Sequence, residues 1–332
     1  MTQEEILAQF GPREAMEYDV VVIGGGPGGL ATAIRIKQLA AENGNDVSVV
    51  VLEKGSEPGA HILSGAVMDP KAMDELIPNW KELGCPINQE VTGDDVLFLS
   101  ETGTQRTPDW LLPRNFHNDG CYVVSLSNVV KWMAAHAESI GVEIFPGFTA
   151  AEVLYNDDGS VKGVATGNLG IGKDGEPTDN FQLGMELHAK YTIFAEGARG
   201  HLGKQVIAKY NLAEGRDPQS YAIGIKELWE VDPSKAKPGL GGAHLWVGPC
   251  KTTPLAAAFC TTSKTTKSPS ALCSASTTKT HGSAPLKKCN AGKHTQPLLP
   301  ILKAPSALAT AHAPSTTARH KLCPRLCSQA AR

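Results

Sequence analysis

The chain has 332 residues, 41% of them hydrophobic, with 31 Lys and Arg against 34 Asp and Glu and a net charge of −3. That length suffices for one large or two ordinary domains with a real core, and no run of 18 apolar residues offers a membrane-crossing helix. The average conceals a break near Cys250: residues 251–332 hold 9 Lys and 3 Arg but no Asp, Glu, Val, Tyr, Trp or Met, whereas the first 250 residues hold 19 basic and 34 acidic side chains.

The opening Met1-Thr2-Gln3-Glu4-Glu5 is acidic. It shows neither the basic, apolar pattern of a secretory signal nor the Arg-rich pattern of a transit peptide, so a bacterial cytoplasmic origin is expected. Residues 1–17 read as a polar lead-in with one helical turn around Ile6 and Leu7. Three scattered cysteines in the first 250 residues, Cys85, Cys121 and Cys250, fit reduced thiols better than a disulfide framework.

The stretch from Asp19 to Leu30 organises the reading. Val20, Val21, Val22 and Ile23 form a short buried strand, and a glycine-rich turn follows at once. Pro27 to Ala41 then reads as a helix, with Pro27 suited to its first turn. Gly24-x-Gly26-x-x-Gly29 therefore lies between strand and helix, the context a dinucleotide fingerprint requires. The first glycine permits the tight turn, the second lets a pyrophosphate approach the backbone, and the third lets helix and strand pack closely. The helix start turns its free N–H groups and positive dipole end toward the phosphates.

A second apolar run, Asp46 to Leu52, ends in Glu53-Lys54-Gly55. Glu53 lies 24 residues after Gly29, close to the roughly 20 expected of an acid that bonds a ribose 2′-hydroxyl. A carboxylate there disfavours a 2′-phosphate, so FAD or NAD fits better than NADP. The plainer alternative is a glycine turn in an ordinary α/β protein, with Glu53 a solvated loop residue.

Gly55 to Ala66 is a loop of small residues, and Asp69 to Trp80 reads as an amphipathic helix with Met73, Leu76, Ile77 and Trp80 on one face. Core packing is the plainer reading of that face and a shallow membrane contact the other. Val96 to Phe116 reads as irregular strands, because Pro108 and Pro113 exclude helix. Ser125 to Gly141 is a helix with Ser127 as its N-cap, and Val142 to Phe145 is a strand. Asn156-Asp157-Asp158-Gly159-Ser160 marks a hairpin, and a second is expected around Lys173-Asp174-Gly175. Leu187 to Ala195 is a strand that ends in Glu196-Gly197-Ala198-Arg199-Gly200 before a helix from His201 to Tyr210. That is a second strand end where a dinucleotide could sit, or a plain strand-to-helix turn.

Taken together, the chain from about Tyr18 to Pro249 resembles the electron transfer flavoprotein–ubiquinone oxidoreductases. The residues that carry the resemblance are Gly24–Gly29, Glu53-Lys54, Gly59–Ala66, Gly120–Leu126 with Trp132-Met133, Ala151–Gly163, Leu187–Gly197 and Gly200–Gln205. It implies an α/β fold: a Rossmann-like FAD-binding domain of the glutathione-reductase type, an interleaved β-rich quinone or substrate domain, and a later iron–sulfur domain. Carried onto this sequence, the cofactor-binding residues are Gly24, Gly26, Gly28, Gly29, Glu53, Lys54, Ser64, Gly65, Val153, Glu196 and Gly197. Such enzymes take electrons from reduced electron transfer flavoprotein and deliver them to ubiquinone. They do so as peripheral proteins, here expected on the cytoplasmic side of a bacterial membrane. Electron transfer needs no side-chain acid or nucleophile, so no catalytic residue is named.

The resemblance stops after Trp246-Val247-Gly248-Pro249. The family continues with a stretch like Tyr-Gly-Gly-Ser-Phe-Leu-Tyr-His-Leu, whose glycine pair lies at the quinone site. Plausible codons for that continuation, read one base later, give the run found here from Ala256 to Lys267. The expectation is a domain boundary at 250: residues 1–250 an incomplete FAD-binding domain with its interleaved quinone-side domain, and 251–332 a low-complexity tail, translated out of frame and disordered. The ligands of the family's 4Fe-4S cluster are expected to be absent. His320, Cys323 and Cys327 could ligate a metal by spacing, and the basic tail lacks the aromatic interleaving of a nucleic-acid binder, so no nucleic-acid partner is expected. Two other readings remain open: an FAD monooxygenase or prenyl reductase of similar fold, and an inactive, non-enzymatic fragment.

Overall fold

The structure, a computed structural model, describes residues 3–62, 65–99, 104–217, 222–230, 239–246, 256–264 and 269–278. In chain order the elements are α1 (Gln3–Phe10), β1 (Ala15–Ile23), α2 (Pro27–Glu42), β2 (Val49–Glu53), β3 (Ala66–Met68), α3 (Lys71–Leu76), β4 (Gln89–Glu90), β5 (Gly93–Leu99) and β6 (Thr104–Arg106). There follow β7 (Tyr122–Val124), α4 (Leu126–Ser139), β8 (Glu143–Pro146), β9 (Ala150–Tyr155), β10 (Val161–Thr166), β11 (Leu169–Ile171), β12 (Pro177–Gln182), β13 (Glu186–Phe194) and α5 (His201–Lys209). The last strands are β14 (Ala222–Glu230), β15 (Leu240–Trp246), β16 (Ala256–Lys264) and β17 (Pro269–Thr278). They divide into two interleaved units: residues 1–62 with 127–216, and 63–126 with 217–332.

The first unit is built on a six-stranded sheet in the order β8-β2-β1-β13-β10-β9. The first four strands are parallel, and β10 and β9 add antiparallel. The valine runs of β1 and β2 suit this place because a parallel strand between covering layers is buried on both faces. Val21, Val22 and Val50 have no exposed surface. Val22 abuts Gly29 of α2, while Val21 and Ile23 join a cluster with Val153, Val164, Leu187 and Leu202 of α5. Successive strand residues face opposite ways, so α2 and α5 cover opposite faces.

Asp19, midway along β1, ties that strand to the residue preceding β2 and to the middle of β13. Its carboxylate accepts from the Ser48 amide at 2.8 Å and pairs with Lys190 Nζ at 2.6 Å. Lys190, and then the Ser48 hydrogen bonds, hold the Asp19 carboxyl down at about 2. β1 also begins earlier than the valine run implied, because Ala15 to Tyr18 pair with Glu186 to Ala189 of β13. Main-chain pairing to one neighbour extends the strand where side-chain hydrophobicity does not announce it. Both hairpins expected from Asn156–Ser160 and around Lys173–Gly175 are present, as β9–β10 and β11–β12.

The second unit contains a three-stranded sheet, β3-β7-β4, and a six-stranded one, β14-β17-β16-β15-β5-β6. The helix expected over Asp69–Trp80 is shorter: α3 ends at Leu76 and Pro78 follows. Met73, Ile77 and Trp80 are still buried, so that face packs a core rather than a membrane. Trp80 lies edge-on to Tyr122 with centroids 5.9 Å apart, and its Nε1 donates to Asp74 Oδ1 at 2.7 Å. Cys85 is buried nearby in sequence, which pushes its thiol up to about 11.

Within the basic segment 251–332, β16 and β17 pair with each other, β16 with β15, and β17 with β14. Residues 256–264, Ala-Ala-Ala-Phe-Cys-Thr-Thr-Ser-Lys, hold no proline that would remove a ladder hydrogen bond. Residues 279–332, including His320, Cys323 and Cys327, lie outside the described residues.

Trp80→Ala should destabilise the second unit by about 3–5 kcal/mol through lost transfer and a cavity. Chemical denaturation followed by far-ultraviolet circular dichroism would measure it. A loss under ~1 kcal/mol would show that Trp80 is not central to this core.

Candidate FAD-binding site

The glycine turn sits at the carboxyl end of β1. The Gly24 amide donates to the Leu52 carbonyl at 2.8 Å, and Gly24 has φ +109°. A Cβ on Gly24 would lie 2.5 Å from the Ala195 carbonyl oxygen, and one on Gly29 would lie 2.0 Å from the Gly24 carbonyl oxygen. Both positions are therefore closed to any side chain. Gly26 and Gly28 are the opposite case, since a Cβ on either would meet nothing within 4 Å. Gly26 caps α2 in an extended conformation without a side-chain cap hydrogen bond, and the first turn holds no acid. The α2 start thus presents uncapped amides toward open space.

Glu53 closes the second strand. Its Oε2 accepts from the Gly25 amide at 2.9 Å and its Oε1 from the Gly55 amide at 2.7 Å. One carboxylate thereby joins the glycine turn to the segment after β2. Charge-assisted bonds of this kind contribute about 1.5–3 kcal/mol, and each oxygen keeps a lone pair for a further donor. Gly25 and Gly55 follow from this arrangement, because a Cβ on either would come within 3.1 Å of Glu53. Neither was singled out from the sequence. Their signal is the Gly55 that directly follows Glu53-Lys54, which is legible only once the side chain's direction is known. Gly55 is held further by its carbonyl, which accepts from the Gly147 amide at 2.7 Å. Ser127 does not cap α4 as expected: its Oγ donates to the Gly59 carbonyl at 2.9 Å. A Cβ on Gly59 would lie 2.7 Å from the Ser127 carbonyl oxygen, so the loop after Glu53 is pressed against the start of α4.

The remaining expected residues divide. Glu196 lies beside the turn, but its carboxylate accepts from the amides of His201, Leu202 and Gly203 at the start of α5. Gly197 has φ +77° with open space where a Cβ would stand. Lys54 is exposed. The Val153 side chain is buried in the core with Val21 and Ile23, so only its main chain is available to a ligand. Gly65 belongs to the second unit, and Ser64 lies outside the described residues.

A ligand with a pyrophosphate and a ribose carrying free hydroxyls fits this arrangement: open glycines before uncapped amides, and a carboxylate one strand away. The family model described as "FAD binding domain" matches residues 17–299. The chain belongs to this family.

Within the FAD-binding family, its curated relatives are named electron transfer flavoprotein–ubiquinone oxidoreductases. The Acinetobacter baylyi protein, named as a probable one, is 63% identical over 230 residues, 69% of this chain and 40% of its own length. The Pseudomonas aeruginosa protein is 56% identical over 230 residues, 69% of this chain and 42% of its own. The mouse mitochondrial protein is 53% identical over 228 residues, 68% of this chain and 37% of its own. The chain thus spans about two fifths of the length of the curated relatives it matches. Among solved structures, a geranylgeranyl bacteriochlorophyll reductase-like protein from Thermoplasma acidophilum aligns with TM-score 0.50 at 16% identity, over 79% of this chain and 57% of that one. A flavin-dependent brominase aligns with TM-score 0.50 at 16% identity, over 79% and 56%. These two share the fold.

Gly26→Val places its side chain in space the protein leaves empty. It should leave thermal unfolding unchanged while FAD content falls by about 100-fold or more, the equivalent of ~2.7 kcal/mol. Gly29→Ala should instead prevent folding of the first unit, because its Cβ meets main chain. Absorbance at 450 nm after purification, beside a melting curve, checks both; a flavin-replete Gly26→Val protein would remove the phosphate assignment.

Proposed function

We propose that residues 18–249 are the flavin half of an oxidoreductase that passes electrons from reduced electron transfer flavoprotein to ubiquinone. The observation that carries this reading is the 63% identity to the A. baylyi protein across the stretch that builds the open glycine turn and the Glu53 clamp. FAD, when bound, supplies the redox chemistry. The chain's residues bind and orient it: the α2 start takes the negative pyrophosphate, and Glu53 accepts from the ribose. A neutral hydroxyl suits that carboxylate, and a 2′-phosphate would be repelled by it.

The 4Fe-4S cluster of the whole family does not fit the described residues. Such a cluster takes four thiolates, and the cysteines with described side chains are Cys85 and Cys121. No step is routed through it. Residues 251–332 are read as translated out of frame. The charge break at Cys250 and the end of similarity to the relatives after about 230 residues support this. Sequencing the gene across the Pro249 codon tests it directly.

A peripheral membrane location is part of the proposal. No helix among the described residues is long and apolar enough to cross a membrane. Trp110 is 82% exposed and Leu111 56%, on a 3-10 turn (Asp109–Leu111) that is followed by a second one (Arg114–Phe116) carrying the exposed Phe116. Full burial of such side chains contributes ~1.5–3 kcal/mol each. Trp110→Ser should therefore weaken binding to quinone-bearing vesicles by about tenfold in a flotation assay. Equal flotation of variant and parent would remove this surface from the proposal.

The chain as it stands should bind FAD yet pass no electrons to ubiquinone, because the family's glycine pair at the quinone site is missing from its sequence. A chain carrying the relatives' continuation after Pro249 should reduce ubiquinone when supplied with reduced electron transfer flavoprotein. Stopped-flow absorbance follows both. Rapid bleaching of the flavin by NADPH instead would replace this reading with that of a monooxygenase or prenyl reductase.

A further inference from the structure

We infer that Glu196 is a positioning residue, which locks the start of α5 with its carboxylate and backs the phosphate turn with its main chain. Only its ligand readout rests on the FAD reading above.

The carboxylate meets three amides. Oε1 accepts from His201 N at 3.1 Å and Leu202 N at 3.3 Å, and Oε2 accepts from Gly203 N at 2.7 Å. These are among the N–H groups that every α-helix start leaves without an intrahelical partner, and a negative charge there also meets the positive end of the helix dipole. His201 Nδ1 stands 3.3 Å from Oε1, and the Glu196 side chain is only 11% exposed. Gly200 is small for this reason: a Cβ there would lie 2.5 Å from Glu196 Cβ and 2.6 Å from Oε2.

The other side of the residue touches the turn. The Ala195 amide donates to the Ile23 carbonyl, at the end of β1, at 2.8 Å. The missing Cβ of Gly24 points at the Ala195 carbonyl and stands 3.4 Å from Glu196 Cα. Whatever fixes residues 195 and 196 therefore fixes the wall behind Gly24. The two helix starts are unequal as a result. That of α2 is open, and that of α5 already holds the protein's own anion. A pyrophosphate has its place at α2, and Glu196 acts on it through the backbone rather than as a ligand.

The test uses the full chain without flavin, as wild type, Glu196→Gln and Glu196→Ala. Amide hydrogen exchange is read at residues 201–203 and at Gly24 and Gly25, whose N–H groups are bonded to Leu52 O and Glu53 Oε2. FAD affinity is read by fluorescence titration. In Glu196→Ala, exchange should accelerate at both places and FAD affinity should fall by about 100-fold; in Glu196→Gln, which keeps one acceptor oxygen, by about tenfold. Faster exchange at 201–203 with no change at Gly24 and Gly25 would mean a purely local cap and overturn the inference. Lost FAD affinity with unchanged exchange at both places would make Glu196 a direct ligand and overturn it as well. A wild type that binds no FAD removes the flavin reading alone, since exchange at Gly24 and Gly25 still decides the positioning role. Should Glu196→Ala not fold, Glu196→Gln decides by the same readouts.

Discussion

The contact on which the rest of the first unit depends is the one between Gly29 and the carbonyl of Gly24, where a single added carbon would sit 2.0 Å from the oxygen. It brings the first turn of α2 against the end of β1, with Val22 beneath. Because that approach is so close, the helix axis starts over the sheet's carboxyl edge, and its first amides look outward past Gly26 and Gly28. The valines of β1 and β2 make the platform rigid by being buried on both faces. A turn of this kind is preorganised by packing, so a ligand received there need not order it.

Two glutamates flank β1 at the ends of neighbouring strands, and they show how charge is managed at such an edge. Glu53 spans Gly25 and Gly55; Glu196 spans the first amides of α5. An ionised carboxylate taken partly out of water needs donors, and main-chain N–H groups at turns and helix starts are the donors at hand. In both cases the glycine whose Cβ would collide with the carboxylate stands within a few residues of the bond: Gly25 and Gly55 for Glu53, Gly200 for Glu196. The negative charges are thus committed inward and leave the α2 start as the open electropositive point of the edge.

This separation explains what was legible in the sequence. The strand, turn and helix from Val20 to Ala41 are local features with a fixed period, and they stand where the residues placed them. The hairpin at Asn156–Ser160 and the helix from His201 are local too. The stop of α3 at Leu76 was legible in Pro78, which disfavours helix at Ile77, whereas the early start of β1 at Ala15 and the turning of Ser127 onto Gly59 depend on neighbours far along the chain, and no local pattern carries them. The same is true of side-chain direction. Glu196 and Val153 lie on elements that were correctly placed, yet one carboxylate turns to α5 and one isopropyl group turns into the core.

The basic segment puts the limit of composition-based reasoning in physical terms. A run with no valine and one aromatic residue, Phe259, has little apolar area with which to offset chain entropy. Main-chain pairing does not require particular side chains, since a ladder is built from N–H and C=O groups in extended backbone, but it must still offset the entropy of ordering the chain. β16 and β17 are extended and paired between β15 and β14 with strands made largely of Ala, Ser and Thr. Such residues complete hydrogen bonds without contributing much hydrophobic driving force. Among the residues with described side chains, the buried apolar ones of the second unit include Met73, Ile77, Trp80, Ile87, Val96 and the Tyr122–Val124 strand, all encoded before the break at Cys250.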